Sequence, residues 1–302
     1  MGARVQLERT GKLRKEHNDL YEKQNDLNRR AAVFQPSRTI IGGKMCNEKD
    51  IIAQWNADMY DLNETCTDDV ELALTLMGAA PKKVLEIACG SGRFLVPVAK
   101  AGHDVTGLDF DEYMLKRIAH KITNEKVKWH KADVVYDDWG AGFDVVTLGA
   151  NFLFNIVSDM NYEQAQKLMI QKSADALAVG GHIFVDYAYP QYPEKWFHNP
   201  NPNIVWEGTD SHGNFGKMAL LNNVYDTESR IARYIRRFDM ILADGSTFVQ
   251  EIPSEKHFAA LEQIHKWLDE AGFVMEREYG DYQGHPISEM TNRVIIWAGK
   301  VR

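Results

Sequence analysis

The stretch of residues 84–109 constrains the fold of this chain more than any other segment. An apolar run passes into a turn that contains Gly90 and Gly92, an amphipathic segment stops at Gly102, and a second apolar run ends on Asp109. This order predicts a strand, a glycine turn, a helix and a second strand. Glycine lets a backbone approach a ligand closely, and an acid at the tip of the second strand of a doubly wound sheet binds a ribose diol. The segment therefore predicts a nucleoside-containing cofactor.

Two positions around the glycine turn indicate which cofactor this is. A dinucleotide fingerprint needs a third glycine three residues after the second, and Leu95 occupies that position. Glu86, which precedes the turn, would repel a pyrophosphate but suits a cofactor that carries a positive charge and no phosphate. S-adenosylmethionine (SAM) has a sulfonium, an α-amino group and a ribose diol. The sequence therefore favours SAM over nicotinamide and flavin dinucleotides, with a purely structural glycine turn as the alternative.

Three later segments continue the same pattern. A short strand is predicted from Val127 to His130, and the acid that follows it, Asp133, occupies the position that reaches an adenine amino group in such folds. A fourth strand is predicted over residues 143–149 and ends at Asn151. A Gly-Gly turn then leads into a fifth strand, over residues 180–186. The regular succession of strands favours a doubly wound sheet. It makes the alternative, a glycine turn of purely structural origin, the weaker interpretation.

With these segments in place, the chain from about Tyr60 to Tyr189 resembles a class I SAM-dependent methyltransferase. The resemblance implies an α/β fold, in which a Rossmann-like sheet has seven strands and the last of them runs antiparallel. For Tyr60 two roles stay open, because its ring either covers the sulfonium by a cation–π contact or packs in the core. The residues for which the resemblance implies contacts with SAM are Tyr60, Glu86, Ala88, Gly90, Gly92, Asp109, Phe110, Met114, Asp133, Val134, Leu148 and Gly149.

The chain after the fifth strand predicts an insertion. Three β-like runs separated by turn residues precede a helix that is predicted from Glu255 to Ala271. We expect an antiparallel β roof over the ligand edge of the sheet, similar to that of the glycine and glycine/sarcosine N-methyltransferases and the nucleotide-aminosugar N,N-dimethyltransferases. The predicted organisation is an N-terminal helical arm (1–45), a SAM-binding core (46–190), the β roof with the substrate region (191–254), and a C-terminal helix with strands six and seven (255–302).

The candidates for contact with the methyl acceptor lie at the carboxyl ends of the fourth and fifth strands. Asn151 can position an amine or a hydroxyl, and Tyr187 and Tyr189 can hydrogen-bond an acceptor or stabilise a cationic amine over their rings. In-line methyl transfer depends mainly on orientation, so an amine acceptor needs no strong general base. One arginine of residues 230–237 could bind an acceptor carboxylate or phosphate, and His285 could serve as the base for a hydroxyl acceptor.

Composition narrows the range of partners. The chain has 302 residues and a formal net charge of −8, which disfavours a nucleic-acid acceptor because phosphates require a basic face. No apolar run approaches the roughly 20 residues that span a bilayer, and no signal-peptide pattern is present at the N-terminus. The three cysteines and the acidic residues show no metal-ligand spacing. We expect a cytoplasmic protein with a small-molecule acceptor and no metal, nucleic acid or membrane partner, and a homo-oligomer through the arm or the roof is a further possibility.

The sequence thus predicts SAM-dependent methyl transfer to a small molecule, with an amine nitrogen as the favoured acceptor atom. Two alternatives stay open. The first is O-methylation of a small hydroxylated metabolite, which would need a base near the methyl group. The second is a SAM-binding module without catalysis. The residues that read the substrate in glycine N-methyltransferase are not recognisable in this chain, so glycine is not carried over as the acceptor.

Overall fold

The computed structural model describes residues 38–41, 44–123, 125–197 and 201–301. The chain divides into two compact units, with the boundary between Ile51 and Ile52. In the first unit, β1 (Arg38–Ile41) and β2 (Lys44–Asn47) pair as antiparallel strands. The predicted helical arm falls mostly outside the described residues, and its described end is a β-hairpin. The run Thr-Ile-Ile in β1 favours a strand because β-branched side chains fit a pleated surface.

The second unit is built on a sheet of seven strands, in the order β12-β13-β7-β6-β3-β4-β5. Strands β3 to β7 pair in parallel, whereas β13 runs antiparallel to both β7 and β12. The predicted fold class, with its antiparallel last strand, is confirmed. The bounds are β3 Lys83–Ile87, β4 Asp104–Asp109, β5 Val127–Lys131, β6 Phe143–Leu148, β7 Leu177–Ala188, β8 Asn203–Thr209, β9 Phe215–Asp226, β10 Ile231–Ile241, β11 Thr247–His257, β12 Phe273–Tyr279 and β13 Arg293–Lys300.

Helices cover both faces of the central sheet, and successive strand residues point to opposite faces. Thus Phe184 of β7 packs in one apolar cluster and Val185 in the other. None of the described helices is both long and apolar enough to cross a membrane. The helices are α1 Glu48–Asn63, α2 Asp68–Met77, α3 Leu95–Lys100, α4 Glu112–Ile118, the 3₁₀ turn η1 Phe152–Phe154, α5 Tyr162–Ala176, α6 Pro193–Phe197 and α7 Leu261–Glu270.

Strands β8 to β11 form a separate antiparallel sheet in the order β11-β10-β9-β8, which we call the roof. The predicted β insertion is therefore confirmed, with two corrections. Strand β8 was not predicted, because its sequence follows a Pro/Asn-rich segment that reads as a loop. The helix predicted from Glu255 was wrong at its start. The chain stays extended through His257, where β11 pairs with β10, and the helix begins only at Leu261.

The part of α1 that follows Ile52 packs against the roof. The Trp55 indole N–H donates to the Gly208 carbonyl at 2.9 Å, and its ring meets Phe238 edge-on with centroids 6.4 Å apart. A Cβ at Gly216 would lie 2.4 Å from Trp55, so only glycine fits beneath this fully buried ring. We call the roof face that carries Phe238 the inner face.

Candidate functional site

The glycine turn after β3 has the backbone conformation that its sequence predicts. Ala88, Gly90 and Gly92 all have positive φ angles, of 57°, 54° and 81°. A Cβ at Gly92 would lie 3.1 Å from side-chain atoms of both Val96 and Ile118. The second glycine is therefore required by backbone conformation as well as by close packing. The turn opens at the carboxyl end of the sheet, where parallel α/β sheets bind their ligands.

Asp109, at the tip of β4, is held next to this turn. Its Oδ2 accepts a hydrogen bond from the Gly90 N–H at 2.8 Å, and its Oδ1 accepts one from the Asp111 N–H at 2.8 Å. Burial raises the pKa of the Asp109 carboxyl, although these N–H donors oppose that rise. The contacts fix the orientation of a carboxylate that can accept further hydrogen bonds from a ribose diol.

Glu86 is buried at the end of β3, and its Oε2 has no hydrogen-bond partner among the described residues. Burial raises the pKa of Glu86 well above its usual value, the carboxylates of Asp69 and Asp109 raise it further, and the Arg93 guanidinium opposes the rise. An unpartnered buried carboxyl oxygen is unfavourable. It fits a ligand that brings a cationic donor, as the α-ammonium group of SAM would.

Arg93, just after the glycine turn, is the cation that opposes the rise in the pKa of this carboxyl. Its guanidinium pairs with Asp69 of α2 through two hydrogen bonds, of 2.8 and 2.5 Å, and also donates to the Cys66 carbonyl. The Tyr60 hydroxyl lies beside the same guanidinium, and the Tyr60 ring meets Trp206 of the roof edge-on at 6.3 Å. The Glu86 carboxylate contributes to the raised pKa of the Tyr60 phenol, and the cation–π role of Tyr60 stays a prediction.

The other residues predicted to contact SAM lie around the same edge of the sheet. Asp133 is exposed, Val134 is half-buried, and Phe110 is 67% exposed just beyond β4. A Cβ at Gly90 would lie 3.7 Å from the Met114 terminal methyl group, so Met114 faces the turn. Leu148 is buried at the end of β6, and Gly149 follows it. Asp133 and Phe110 are therefore the exposed acid and the exposed ring among these residues, and their contacts with adenosine stay a prediction.

Residues 84–181, which contain most of this site, match a family model described as a methyltransferase domain. The chain is a SAM-dependent methyltransferase. A relative in Geobacillus sp. (strain WCH70) carries a provisional methyltransferase name and is 23% identical over 224 residues, which cover 72% of this chain and 85% of the relative. The orphan oxygen of Glu86 and the oriented Asp109 show that the residues present fit SAM.

Two solved structures share the fold of this methyltransferase. A SAM-dependent methyltransferase from Clostridium acetobutylicum ATCC 824 is 15% identical with a TM-score of 0.62, over 84% of this chain and 99% of that one. A sugar N-methyltransferase from Streptoalloteichus sp. ATCC 53650 is 17% identical with a TM-score of 0.60, over 87% of this chain and 97% of that one.

The turn at the end of β6 is fastened to β7 by a buried polar network. Ala150 and Asn151 both have left-handed backbone conformations, with φ angles of 49° and 65°. The Asn151 Oδ1 accepts the Ala188 N–H at 2.6 Å and also lies 3.4 Å from the Arg293 guanidinium. The predicted acceptor residue therefore uses its carbonyl oxygen to hold the turn, which leaves its NH₂ group as the donor for a ligand. Asn151 as an acceptor contact stays a prediction.

Asp186 is the centre of this network and was missed in the sequence analysis. It is fully buried, and its carboxylate accepts hydrogen bonds from the Ala150 N–H, the Tyr282 hydroxyl and Arg293. Burial raises the pKa of the Asp186 carboxyl, and Arg293 opposes the rise. The sequence does contain a pattern that indicates Asp186, because an acid at the end of an apolar strand lies at the ligand edge of a parallel sheet.

Tyr187 was predicted to contact the acceptor alongside Asn151, but its side chain lies on the other face of the sheet. Asp186 points toward Tyr282, so its neighbour Tyr187 points to the opposite face of the sheet and packs in the apolar cluster there. The Tyr187 hydroxyl has no partner among the described residues, and burial raises the pKa of this phenol. Tyr189 is half-buried and meets Tyr187 edge-on at 6.0 Å. Both remain predicted acceptor contacts, but the packing role of Tyr187 is plain.

The roof arginines separate into two groups. On the outer face, Arg233 pairs with Glu255 at 2.8 Å and Arg237 pairs with Asp239 at 2.8 Å. Arg236 lies on the inner face, where its Nε donates to the Ser254 hydroxyl at 2.9 Å. The sequence predicts that one arginine of this region binds the acceptor, and Arg236 is the candidate on the inner face.

One group of described residues has metal-ligand character but is occupied by its own contacts. The oxygens of Asp58 and Asp210 and a His212 nitrogen lie within 4.8 Å of one another. Asp58 is already bound by Ser211 and Arg117, and Asp210 accepts hydrogen bonds from His212 and Asn214. We assign no metal to this group.

Proposed function

We propose that this methyltransferase transfers the SAM methyl group to an amine nitrogen of a small molecule. The observation that carries the proposal is the roof, which adds an antiparallel sheet with aromatic side chains to the methyltransferase core. The sugar N-methyltransferase matches 87% of this chain, and the unmatched part is too short to contain the whole roof. The likeness thus extends beyond the SAM-binding half.

The chain's own residues support this reaction in two ways. The unpartnered Glu86 carboxylate and the oriented Asp109 would hold the two ends of SAM, which supplies a methyl group already activated by its sulfonium. The turn at Ala150 and Asn151 would then place the acceptor against that methyl group, with the Asp186 network fixing its geometry. Positioning of this kind can supply much of the rate of an in-line displacement.

The roof is suited to an amine for a further reason. The rings of Tyr60 and Trp206 meet at the ligand edge, and Tyr234 is buried on the inner face of the roof. Aromatic faces attract a cationic amine, both before it loses a proton and after it gains a methyl group. An acceptor amine would therefore be stabilised in the charged forms that begin and end the reaction.

The proposal is tested by incubating the protein with methyl-labelled SAM and three matched pairs of acceptors. The pairs are D-glucosamine and D-glucose, glycine and glycolate, and ethanolamine and ethylene glycol, with bulk RNA and unfolded protein as further acceptors. We expect label in one or more amines and none in the matched hydroxyl compounds. Label confined to RNA or protein, or to the hydroxyl compounds, would overturn the proposal.

O-methylation is the second candidate, and one observation favours it. On the loop between β12 and β13, the His285 Nδ1 lies 2.7 Å from an Asp281 carboxylate oxygen, a pairing that suits a general base. The same loop carries Tyr282, which contacts Asp186. However, the His285 side chain is 72% exposed. Replacement His285→Asn should leave amine methylation unchanged and would abolish hydroxyl methylation if this histidine were the base.

A further inference from the structure

Lys256 lies on the inner face of the roof, close to the turn that would position the acceptor. It is opposite Ala232 in the pairing of β11 with β10, and so shares a face with Tyr234 and Arg236. Its Nζ lies 4.7 Å from the centre of the Phe154 ring and 6.0 Å from that of Tyr234. Phe154 ends the η1 turn that begins directly after Asn151. The roof therefore brings a lysine amine to the end of β6.

Among the described residues, the groups that surround Lys256 are the Arg236 cation and two aromatic rings. No described carboxylate forms an ion pair with Lys256, whereas the outer-face arginines Arg233 and Arg237 are both paired. Burial, together with the like charge of Arg236, lowers the pKa of Lys256 to about 8. A lysine with such a pKa has a substantial neutral fraction near neutral pH.

The other titratable groups near Lys256 do not offer it a proton partner. Burial raises the pKa of the Tyr234 phenol, which therefore stays neutral. His257 is turned away and its Nδ1 contacts Gln166 at 2.8 Å. Glu255 is turned to the outer face, where it pairs with Arg233 and accepts the Tyr162 hydroxyl. Arg236 is thus the charged group that shares the face with Lys256.

We propose that Lys256 accepts the proton that an amine acceptor must lose before methyl transfer. This inference rests on the proposed N-methylation. The neutral Lys256 amine takes a proton from the acceptor ammonium, which leaves a lone pair on the acceptor nitrogen. That lone pair forms the new N–C bond as the S–CH₃ bond breaks, and the sulfur keeps the bonding electrons. Lys256 later returns its proton to solvent.

The test compares the pH profiles of kcat for Lys256→Met, Lys256→Arg and the wild type, with the amine that the panel above shows to be methylated fastest. We expect both variants to lose at least ~100-fold in kcat at neutral pH, the scale of general-base catalysis. The loss should shrink as the pH rises, because the acceptor amine then deprotonates in water. The matched control is Lys217→Met, a lysine on the outer face of β9, which should keep the wild-type profile.

The Lys256→Arg variant keeps a positive charge at this position but cannot accept a proton, because a guanidinium does not deprotonate in proteins. It therefore distinguishes a role in proton transfer from a role as a fixed charge. If Lys256→Arg keeps wild-type activity, Lys256 acts as an anion-binding group and the inference is overturned. If the wild type methylates only hydroxyl compounds, the proposed function fails first. Calorimetry of SAM binding to each variant is the control for folding. A variant that loses kcat but still binds SAM is folded.

A direct titration provides a second readout that does not depend on turnover. Lysines are reductively methylated with ¹³C-formaldehyde, and the Lys256 signal is assigned by its absence in Lys256→Met. We expect this signal to titrate with a midpoint near 8. A midpoint at the ordinary lysine value of about 10.4 would overturn the inference.

Discussion

At the residue scale, the buried carboxyl of Glu86 links cofactor binding to the stability of the free protein. Its pKa is raised by burial, so the folded protein binds a proton more tightly there than the unfolded chain does. The stability that this group contributes is complete below the ordinary carboxyl pKa and is lost as the pH rises through the raised one. At neutral pH the buried Glu86 carboxyl therefore lowers the stability of the free protein, and a bound ammonium group would remove this destabilisation.

Replacement Glu86→Gln should separate these two effects. We expect the variant to bind SAM at least ~10-fold more weakly, since a charge-assisted hydrogen bond is worth about 1.5–3 kcal/mol. We also expect its unliganded form to gain stability relative to the wild type as the pH rises, because the cost of the buried charge is removed. Calorimetry measures the first effect, and urea unfolding at several pH values measures the second. Equal SAM affinity in the variant and the wild type would contradict the assignment of Glu86 to SAM binding. The control is Glu112→Gln, at an exposed position.

Asp186 and Arg293 form the other residue-scale feature of the site. Replacement Asp186→Asn leaves the half-buried guanidinium without its countercharge, and breaking a buried pair costs about 3–5 kcal/mol. We expect a loss of about 3 kcal/mol in the free energy of unfolding, measured in urea, with Asp175→Asn on the surface as control. In a double-mutant cycle with Arg293→Met, the two losses should be far from additive. Additive losses would show that the pair is not coupled.

Local sequence patterns predicted the backbone of the glycine turn but not the contacts between the ends of β6 and β7, for a physical reason. Gly90, Gly92 and Asp109 act through the backbone and through one local strand–turn–strand unit, so short-range spacing suffices to place them. The Asp186 network joins residues more than 100 positions apart, and no local pattern reports such a contact. Tyr187 was placed by its position at a strand end, but side-chain alternation directs it to the opposite face.

At the element scale, α1 is fastened to the glycine turn by a cluster of charges. Asp61 accepts the Ser91 hydroxyl at 2.5 Å and the Lys121 ammonium at 2.8 Å, and Asp58 pairs with Arg117. Ser91 is the residue between the two glycines of the turn, and it is fully buried. The helix is therefore fastened directly to the segment that would hold SAM, and we expect exchange of the cofactor to require these contacts to loosen.

Replacement Lys121→Met should loosen this closure. We expect faster dissociation of SAM, by about 3- to 10-fold, because a partly exposed charge pair contributes about 1 kcal/mol. The dissociation rate of the wild type should also rise with ionic strength, since salt screens such pairs. Stopped-flow displacement measures both, with the exposed Lys116→Met as control. A rate that responds neither to the substitution nor to salt would contradict a closing role for α1.

Elements outside the central sheet were predicted less accurately than the sheet itself. Strands β3, β4, β6 and β7 contain apolar runs with buried residues on both faces, and such runs are easily recognised. Strand β8 is mostly exposed and follows a Pro/Asn-rich segment, so its pattern is weak. At the end of β11, the charged alternation around Glu255 resembled the first turn of a helix, but pairing with β10 keeps it extended.

At the scale of the whole molecule, we propose that the roof and the sheet edge together determine what the methyltransferase can methylate. The edge supplies Glu86, Asp109 and the Asn151 turn, and the roof supplies Tyr234, Arg236 and Lys256 on its inner face. Residues 84–181 match a general methyltransferase family model, whereas the proposal of an amine acceptor rests on the roof. The acceptor atom is therefore the point on which the account depends most.

The most direct measurement is an NMR spectrum of the product formed from ¹³C-methyl SAM and the acceptor that takes up label. The chemical shift of the labelled methyl carbon distinguishes attachment to nitrogen from attachment to oxygen or carbon. We predict a single class of product, in which the labelled methyl group is bonded to nitrogen of a small molecule. A labelled methyl group bonded to oxygen or carbon would contradict the account.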